Sequence, residues 1–256
     1  MENPNATARR TAFVTGASFG IGAATALALA RDGFDVAVSA TRLENVAATC
    51  AKLEALGVRA FPVVLDVRSH GSIQEALGQV LDHIGAIDVL VNNAGVPLMK
   101  AALDLTRAEW DNVMATNLTG TFFMSQAMAR HWIERGRPGL IISMTSTHGI
   151  VGFAGRAAYG ISKAAVMHMT KTLAIEWASH EIRVNAIAPG RVESDSPARA
   201  ASSADPRYLE MARNRVPLRR FCTVDDVAEA ARYLASPGAA YITGHTLVLD
   251  GGLTVY

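Results

Sequence analysis

Three residues in the middle of the chain could together make or unmake a carbon–oxygen double bond. Ser146 stands just past Leu140 to Met144, a short apolar run that reads as a buried strand. Thirteen residues later, Tyr159-Gly160-Ile161-Ser162-Lys163 opens a long helical segment. Four residues apart on a helix, Tyr159 and Lys163 lie on one face. A free tyrosine titrates at about 10, and a cation held close favours the phenolate and lowers that value. Such a phenol can pass a proton to or from a carbinol oxygen near neutral pH. A serine hydroxyl can hydrogen-bond the same oxygen as charge develops on it. Taken alone, Tyr-x-x-x-Lys also fits a capping phenol and a solvated surface lysine. The serine at a strand end and the rest of the chain weigh against that bland alternative.

A second set of residues suits a phosphate. Gly16, Gly20 and Gly22 follow the apolar run Thr11 to Thr15 and precede a helical pattern from Ile21 to Asp32. Glycines between a strand and a helix permit a tight turn and close backbone approach to a phosphate at the helix N-terminus. Their spacing is Gly-x-x-x-Gly-x-Gly rather than the commoner Gly-x-Gly-x-x-Gly.

The elements that must position these residues alternate along the chain. Strands are expected at Thr11–Thr15, Asp35–Ser39, Arg59–Leu65, Val89–Val91, Leu140–Met144, Arg183–Ala188 and Thr246–Asp250. Helices are expected at Ile21–Asp32, Asn45–Leu56, Ser72–Ile84, Arg107–Leu118, Thr121–Arg135, after Tyr159, and at Thr223–Ala235. This alternation implies βαβ units and a parallel sheet covered on both faces. No repeat, low-complexity tract or linker divides the 256 residues, so one α/β domain, residues 1–256, is expected.

Composition excludes several classes. Half the residues are hydrophobic and the net charge is +1, which gives no broad electrostatic reason to expect nucleic acid or an anionic membrane. No apolar run approaches a membrane span, and Met1 to Arg10 has no apolar signal core. Cys50 and Cys222 are far apart and lack ligand spacing, so neither a disulfide framework nor a metal site is expected, and a reducing cytoplasm suits them.

Taken in order, several motifs resemble the short-chain dehydrogenase/reductase family over nearly the whole chain. They are Thr15-Gly16-Ala17-Ser18-Phe19-Gly20-Ile21-Gly22, Asn92-Asn93-Ala94-Gly95, Asn117, Ser146, Tyr159-x-x-x-Lys163, Pro189-Gly190 and Asp250-Gly251-Gly252. The resemblance implies a Rossmann-type, doubly wound, seven-stranded parallel sheet with helices on both faces. It implies Tyr159 as acid/base, Ser146 polarising the substrate oxygen, and Lys163 binding the nicotinamide ribose while lowering the tyrosine pKa. It gives Asn117 a water in a relay from Lys163. Gly16, Ser18, Phe19, Gly20, Ile21 and Gly22 would form the pyrophosphate turn. Asp66 and Val67 would meet adenine. Asn93, Ala94 and Gly95 would flank the adenosine ribose, and Pro189, Gly190, Val192 and Ser194 would meet the nicotinamide end. The hydroxyl of Ser194 stands where the family usually has threonine. His148 and Phe153, with Leu98 and Met144, would lie near the substrate.

Departures from the family pattern sharpen these expectations. An aspartate that binds the ribose hydroxyls in NAD-preferring members is missing: the second strand runs into Ser39-Ala40-Thr41-Arg42. Thr41 can donate a hydrogen bond and Arg42 can clamp a 2′-phosphate, so NADP(H) is expected to be preferred, with NAD(H) possible. Phe19 replaces an arginine found in many members. Residues 191–216 would form a polar, partly ordered substrate lid. Pro217 to Phe221 and Tyr241 to Thr246 resemble the β-ketoacyl-carrier-protein reductase subgroup, which shades into sugar and polyol dehydrogenases. Arg137 matches one carrier-gripping position, but His180 replaces the other arginine, so a carrier-protein partner is doubtful. The resemblance also implies a homotetramer, for which Ala165, Met169, Leu173 and Trp177 recur every four residues. A non-catalytic dinucleotide sensor is the other class; the intact Asn117, Ser146, Tyr159 and Lys163 argue against it.

Overall fold

A computed structural model describes residues 9–194 and 206–255 of the chain. The strands are β1 (Thr11–Val14), β2 (Asp35–Ala40), β3 (Ala60–Val64), β4 (Val89–Asn92), β5 (Gly139–Met144), β6 (Ile182–Pro189), β7 (Val192–Glu193), β8 (Cys222–Thr223) and β9 (Thr246–Leu249). The α-helices are α1 (Gly20–Arg31), α2 (Ala47–Ala55), α3 (His70–Ile84), α4 (Arg107–Met114), α5 (Gly120–Glu134), α6 (Ala157–Trp177), α7 (Pro206–Asn214) and α8 (Val224–Ala235). Seven strands form one parallel sheet in the order β3-β2-β1-β4-β5-β6-β9, and β7 pairs with β8 apart from it. The strand order reverses between β1 and β4, which is where ligands bind in open α/β sheets.

Period-two alternation sorts the strands onto two cores. On one face, Ala12, Val14, Val36, Val38, Val89 and Val91 meet Leu29 of α1, Leu53 of α2 and Leu234 of α8. On the other, Phe13, Ala37, Leu90 and Ile141 meet Ile73 of α3, Met128 and Trp132 of α5, and Leu173 of α6. Trp132 and Phe13 are fully buried, which contributes roughly 1.5–3 kcal/mol or more for each such side chain. Side chains also set the helix starts. Ser69 accepts from Ser72 N at α3, while Thr106–Glu109 and Thr223–Asp226 form capping boxes at α4 and α8.

One expectation needs correction. The helices expected at Arg107–Leu118 and Thr121–Arg135 are continuous, joined by a π turn at Ala115–Thr119. Gly120, which reads as a breaker, has helical dihedrals; its missing Cβ lets the helix press on Val67, whose Cβ would otherwise lie 2.8 Å away. Within the segment expected as a lid, the described residues include β7 and α7. Ser196, Arg199, Ser202, Ser203 and Asp205 of that segment lie outside the described residues.

Candidate active site

A cleft of about 1000 Å³ opens beyond the carboxyl ends of the strands. Its floor is a network of backbone groups held by short polar side chains. Thr15 Oγ1, at the end of β1, accepts from Asn93 N at 3.0 Å and Ala94 N at 3.1 Å. Asn93 Nδ2 returns across the gap to Thr15 O at 3.1 Å and Gly16 O at 2.8 Å. This lacing brings the β1 turn against the β4 loop so closely that a Cβ at Gly16 would stand 2.8 Å from Ala94 Cα. Gly16 also has φ +65°, where an ordinary side chain is strained.

The turn leads into α1, whose N-terminus has no side-chain cap and no acidic residue in its first turn. Uncapped helical N–H groups facing a cleft suit a phosphate. A dinucleotide therefore fits this end. Ser18, Phe19, Gly20, Ile21, Ala40, Thr41, Asp66, Val67, Asn93, Ala94 and Gly95 all line it. Gly22 is buried under the turn instead, where its missing side chain leaves room for Asn93. Arg42 is exposed, does not line the cleft, and among the described residues pairs with neither Glu44 nor Glu54. Val192 is buried in the β7–β8 pair, while Pro189, Gly190 and Ser194 line the cleft. Arg68 holds the carboxylate of Asp66 through two side-chain N–H groups at 2.7 and 2.9 Å, which lowers its pKa.

The three residues read from the sequence all line the same cleft. Ser146 closes β5 and is 6% exposed; its Oγ accepts from His148 N at 3.2 Å and lies 3.4 Å from His148 Nδ1. Lys163 is also 6% exposed, and its Nζ donates to Met144 O at 2.8 Å. That bond ties the helix to the same strand end that carries Ser146. Nζ stands 5.8 Å from the ring centroid of Tyr159. Burial pushes the Lys163 pKa down to about 8, so below that value the group remains a cation beside the phenol. The spacing of Ser146 from Tyr159 is set by backbone contact. A Cβ at Gly160 would lie 2.7 Å from His148 O, and one at Gly149 would lie 2.6 Å from Ala164 N.

Asn117 does not line the cleft; it is 0% exposed and sits in the π turn. Its Oδ1 accepts from Val96 N at 2.8 Å, and its Nδ2 donates to Val96 O and Ser162 Oγ, both at 3.1 Å. Ser162 Oγ in turn donates to Tyr159 O at 2.7 Å. Both amide N–H groups are thus used in bracing the cleft loop to α6. His148 stands edge-on between Phe153, with centroids 4.5 Å apart, and Tyr159, with centroids 5.9 Å apart. Met144 lines the cleft, and Leu98 contributes its carbonyl to Arg156 at 3.1 Å.

The sequence reading did not single out Thr15, Ser162, Arg68 or Arg156. Thr15 and Ser162 lie inside the quoted motifs, so a hydroxyl flanking a reactive residue was the available signal. A buried cation, a phenol and a serine at one end of a phosphate-compatible cleft can exchange a proton with a carbinol or carbonyl oxygen. Comparison with known proteins decides the family. The profile described as enoyl-(acyl carrier protein) reductase matches residues 16–254.

The chain is a short-chain dehydrogenase/reductase.

The family brings oxidoreductase chemistry on CH–OH and C=O groups. A 3-oxoacyl-[acyl-carrier-protein] reductase of Staphylococcus epidermidis is 39% identical over 95% of this chain and 98% of that protein. Gluconate 5-dehydrogenase of Gluconobacter oxydans is 34% identical over 95% of this chain and 94% of its own length. A substituted actinorhodin polyketide ketoreductase solved with NADPH superposes with a TM-score of 0.91 at 36% identity, covering 97% of this chain and 98% of that one. Among the described residues, no helix is long and apolar enough to cross a membrane, and no cluster of three or more potential metal ligands occurs.

Proposed function

We propose that this short-chain dehydrogenase/reductase interconverts a ketone and a secondary alcohol with NADP(H) preferred, and that 3-oxoacyl compounds are among its carbonyl substrates. The observation that carries the proposal is the buried Lys163 ammonium, anchored on Met144 O beside the Tyr159 ring. In the reducing direction Tyr159 gives its phenolic proton to the substrate oxygen, and Lys163 stabilises the phenolate left behind. Ser146 donates a hydrogen bond to the same oxygen. Asn117 and Ser162 hold the cleft loop and α6 in register around them. The nicotinamide dinucleotide, when bound, supplies the hydride for reduction and accepts it in oxidation. Thr41 and Arg42, with no acid at Ala40, favour a 2′-phosphate over bare ribose hydroxyls.

A second reading, NAD-dependent oxidation of a sugar-type alcohol, draws on the gluconate dehydrogenase relative and on Arg42 standing outside the cleft. A carrier protein is not required in either reading: Arg137 is engaged by Asp88 at 3.3 Å, and His180 replaces the second arginine. The proposal includes a homotetramer. Ala165, Met169, Leu173 and Trp177 line a groove of about 520 Å³ between α5 and α6, and Val248 is exposed on the edge strand β9. A cytoplasmic setting goes with it, since Cys50 and Cys222 are free thiols.

The test is oxidation of NADPH and NADH against a panel of ketones and free 3-oxoacyl thioesters, with the reverse reaction on sugar-type alcohols. Turnover with a kcat/KM favouring NADPH supports the first reading, and a preference for NAD with polyols supports the second. Dinucleotide binding without turnover on any carbonyl or alcohol would overturn both in favour of a sensor.

A further inference from the structure

Resting on the reading of the cleft as a dinucleotide site with adenine at Asp66, we propose that Arg68 is the positioning residue that makes this end selective for a base with an exocyclic amine. It does so by fixing the Asp66 carboxylate as an acceptor on the cleft wall. Asp66, Arg68 and Asn112 all line the cleft, and among the described residues Asp66 is the only carboxylate that does. The backbone beneath Asp66 is tied down on both sides. Asp66 N donates to Ser72 Oγ at 3.0 Å, and Asp66 O accepts from Ser69 N at 3.0 Å. Val67, next along, is buried against Gly120.

The carboxylate itself is held by Arg68. Arg68 N and Nε donate to Oδ1 at 3.0 and 2.9 Å, Nη2 donates to Oδ2 at 2.7 Å, and Nε also reaches Oδ2 at 3.2 Å. The far side of the guanidinium is anchored too, because Nη1 donates to Asn112 Oδ1 at 3.2 Å. The planar fork thus bridges the end of β3 to α4 and cannot swing without losing both partners. Two carboxylate oxygens offer about four acceptor positions. Two donors fill Oδ1, so capacity remains on Oδ2, and the side chain is still 36% exposed. The hydrogen bonds from Arg68 also hold the Asp66 pKa below the usual carboxylate value, so the group stays ionised and can only accept. Adenine carries an amine at C6, where hypoxanthine carries an oxo group. A fixed, ionised carboxylate pairs with the amine and repels the oxo oxygen. A protonated or freely turning aspartate makes no such distinction.

The test measures Kd by calorimetry for NADPH and for its hypoxanthine counterpart, and for the same pair lacking the 2′-phosphate, so that cofactor preference does not decide the result. In wild type, the adenine form of the tighter pair is expected to bind at least about fivefold more tightly, the scale of a hydrogen bond to a charged group at a partly exposed site. In Arg68→Gln that ratio is expected to fall to within about twofold. Loss of one positive charge weakens both forms alike and cancels in the ratio. Asp66→Asn, whose amide can donate as well as accept, is expected to bring the ratio to within about twofold and reads out even where Arg68→Gln fails to fold. A wild-type ratio below about fivefold, or a ratio unmoved in either variant, would overturn the proposal. Equal weakening of both forms in Arg68→Gln, with the ratio kept, would mean that Arg68 only supports the fold. Binding of none of the four dinucleotides would overturn the cofactor reading as well, whereas tight binding without discrimination overturns this proposal alone.

Discussion

The two ends of the cleft are built in different ways. At the dinucleotide end the wall is backbone: the Gly16 turn, the uncapped start of α1, and amides fixed by Thr15 and Asn93. At the substrate end the wall is side chains: Phe153, Arg156, Tyr208, Met211 and Arg215, several of them exposed. Lys163 and Asn117 are buried beside the cleft, Lys163 bonded to Met144 O at the end of β5 and Asn117 to Val96 and Ser162. A backbone wall depends on what is missing, because any Cβ at Gly16 meets Ala94. A side-chain wall depends on what is present, and tolerates exchange of one exposed group for another. The first suits a group common to many reactions; the second suits the part that differs between substrates.

The largest effect that would sharpen this contrast is expected where the walls join. Lys163→Met should lower kcat by about 10² or more, since it removes the cation beside Tyr159. It should also raise Tm by a few degrees, because a buried ammonium is costly to desolvate. Sign follows from linkage. Lys163 titrates at about 8 in the folded chain against the ordinary 10.5, so the unfolded chain binds more protons between those values. The burial cost is complete below pH 8 and is relieved as pH rises toward 10.5. The Tm gap between variant and wild type should narrow over that window. A variant less stable than wild type at pH 7 would contradict this account of Lys163.

On the backbone wall, Gly16→Ala should raise the Kd for NADPH by at least about tenfold and destabilise by at least about 2 kcal/mol. Gly33→Ala is its control: φ is +83°, yet nothing lies within 4 Å of the added Cβ, so only about 1 kcal/mol of backbone strain is expected. Equal losses in the two variants, measured by denaturant midpoints, would mean that the close approach to Ala94 is unimportant. Gly160→Ala should lower kcat by about tenfold with little change in cofactor Kd, because a Cβ there pushes His148 and Ser146 away from α6. An unchanged kcat would show that the Ser146–Tyr159 spacing is not set by this contact.

The smallest effect is expected at the rim of the backbone wall. Arg42→Ala should reduce the NADPH:NADH ratio of kcat/KM by roughly tenfold while barely altering NADH kinetics. A ratio that stays fixed would remove Arg42 from cofactor selection and agree with its place outside the cleft.

This difference in construction also explains what was legible in the sequence. The parallel sheet and its two covered faces follow from strands alternating with helices, and the dinucleotide end from glycines and short polar residues at fixed spacings; the strand order itself is seen only in the structure. Backbone geometry demands those residue types. Helix α7 was less legible because its composition is polar, although Tyr208, Met211 and Ala212 recur at helical spacing and all line the cleft. The joined α4–α5 helix was missed because Gly120 has the composition of a breaker, while its actual use is close packing on Val67. Arg156 and Arg215 were not placed together because 59 residues separate them and only tertiary packing brings both to one wall. Local spacing carries no sign of such a pairing.

The central claim is that Tyr159 exchanges the proton with the substrate oxygen. Its most direct test is Tyr159→Phe, with turnover and NADPH binding measured on the same preparation. The variant should lose about 10² to 10⁴ in kcat while cofactor Kd changes by no more than about threefold. A variant that keeps more than about a tenth of the wild-type kcat would show that the proton moves through another group.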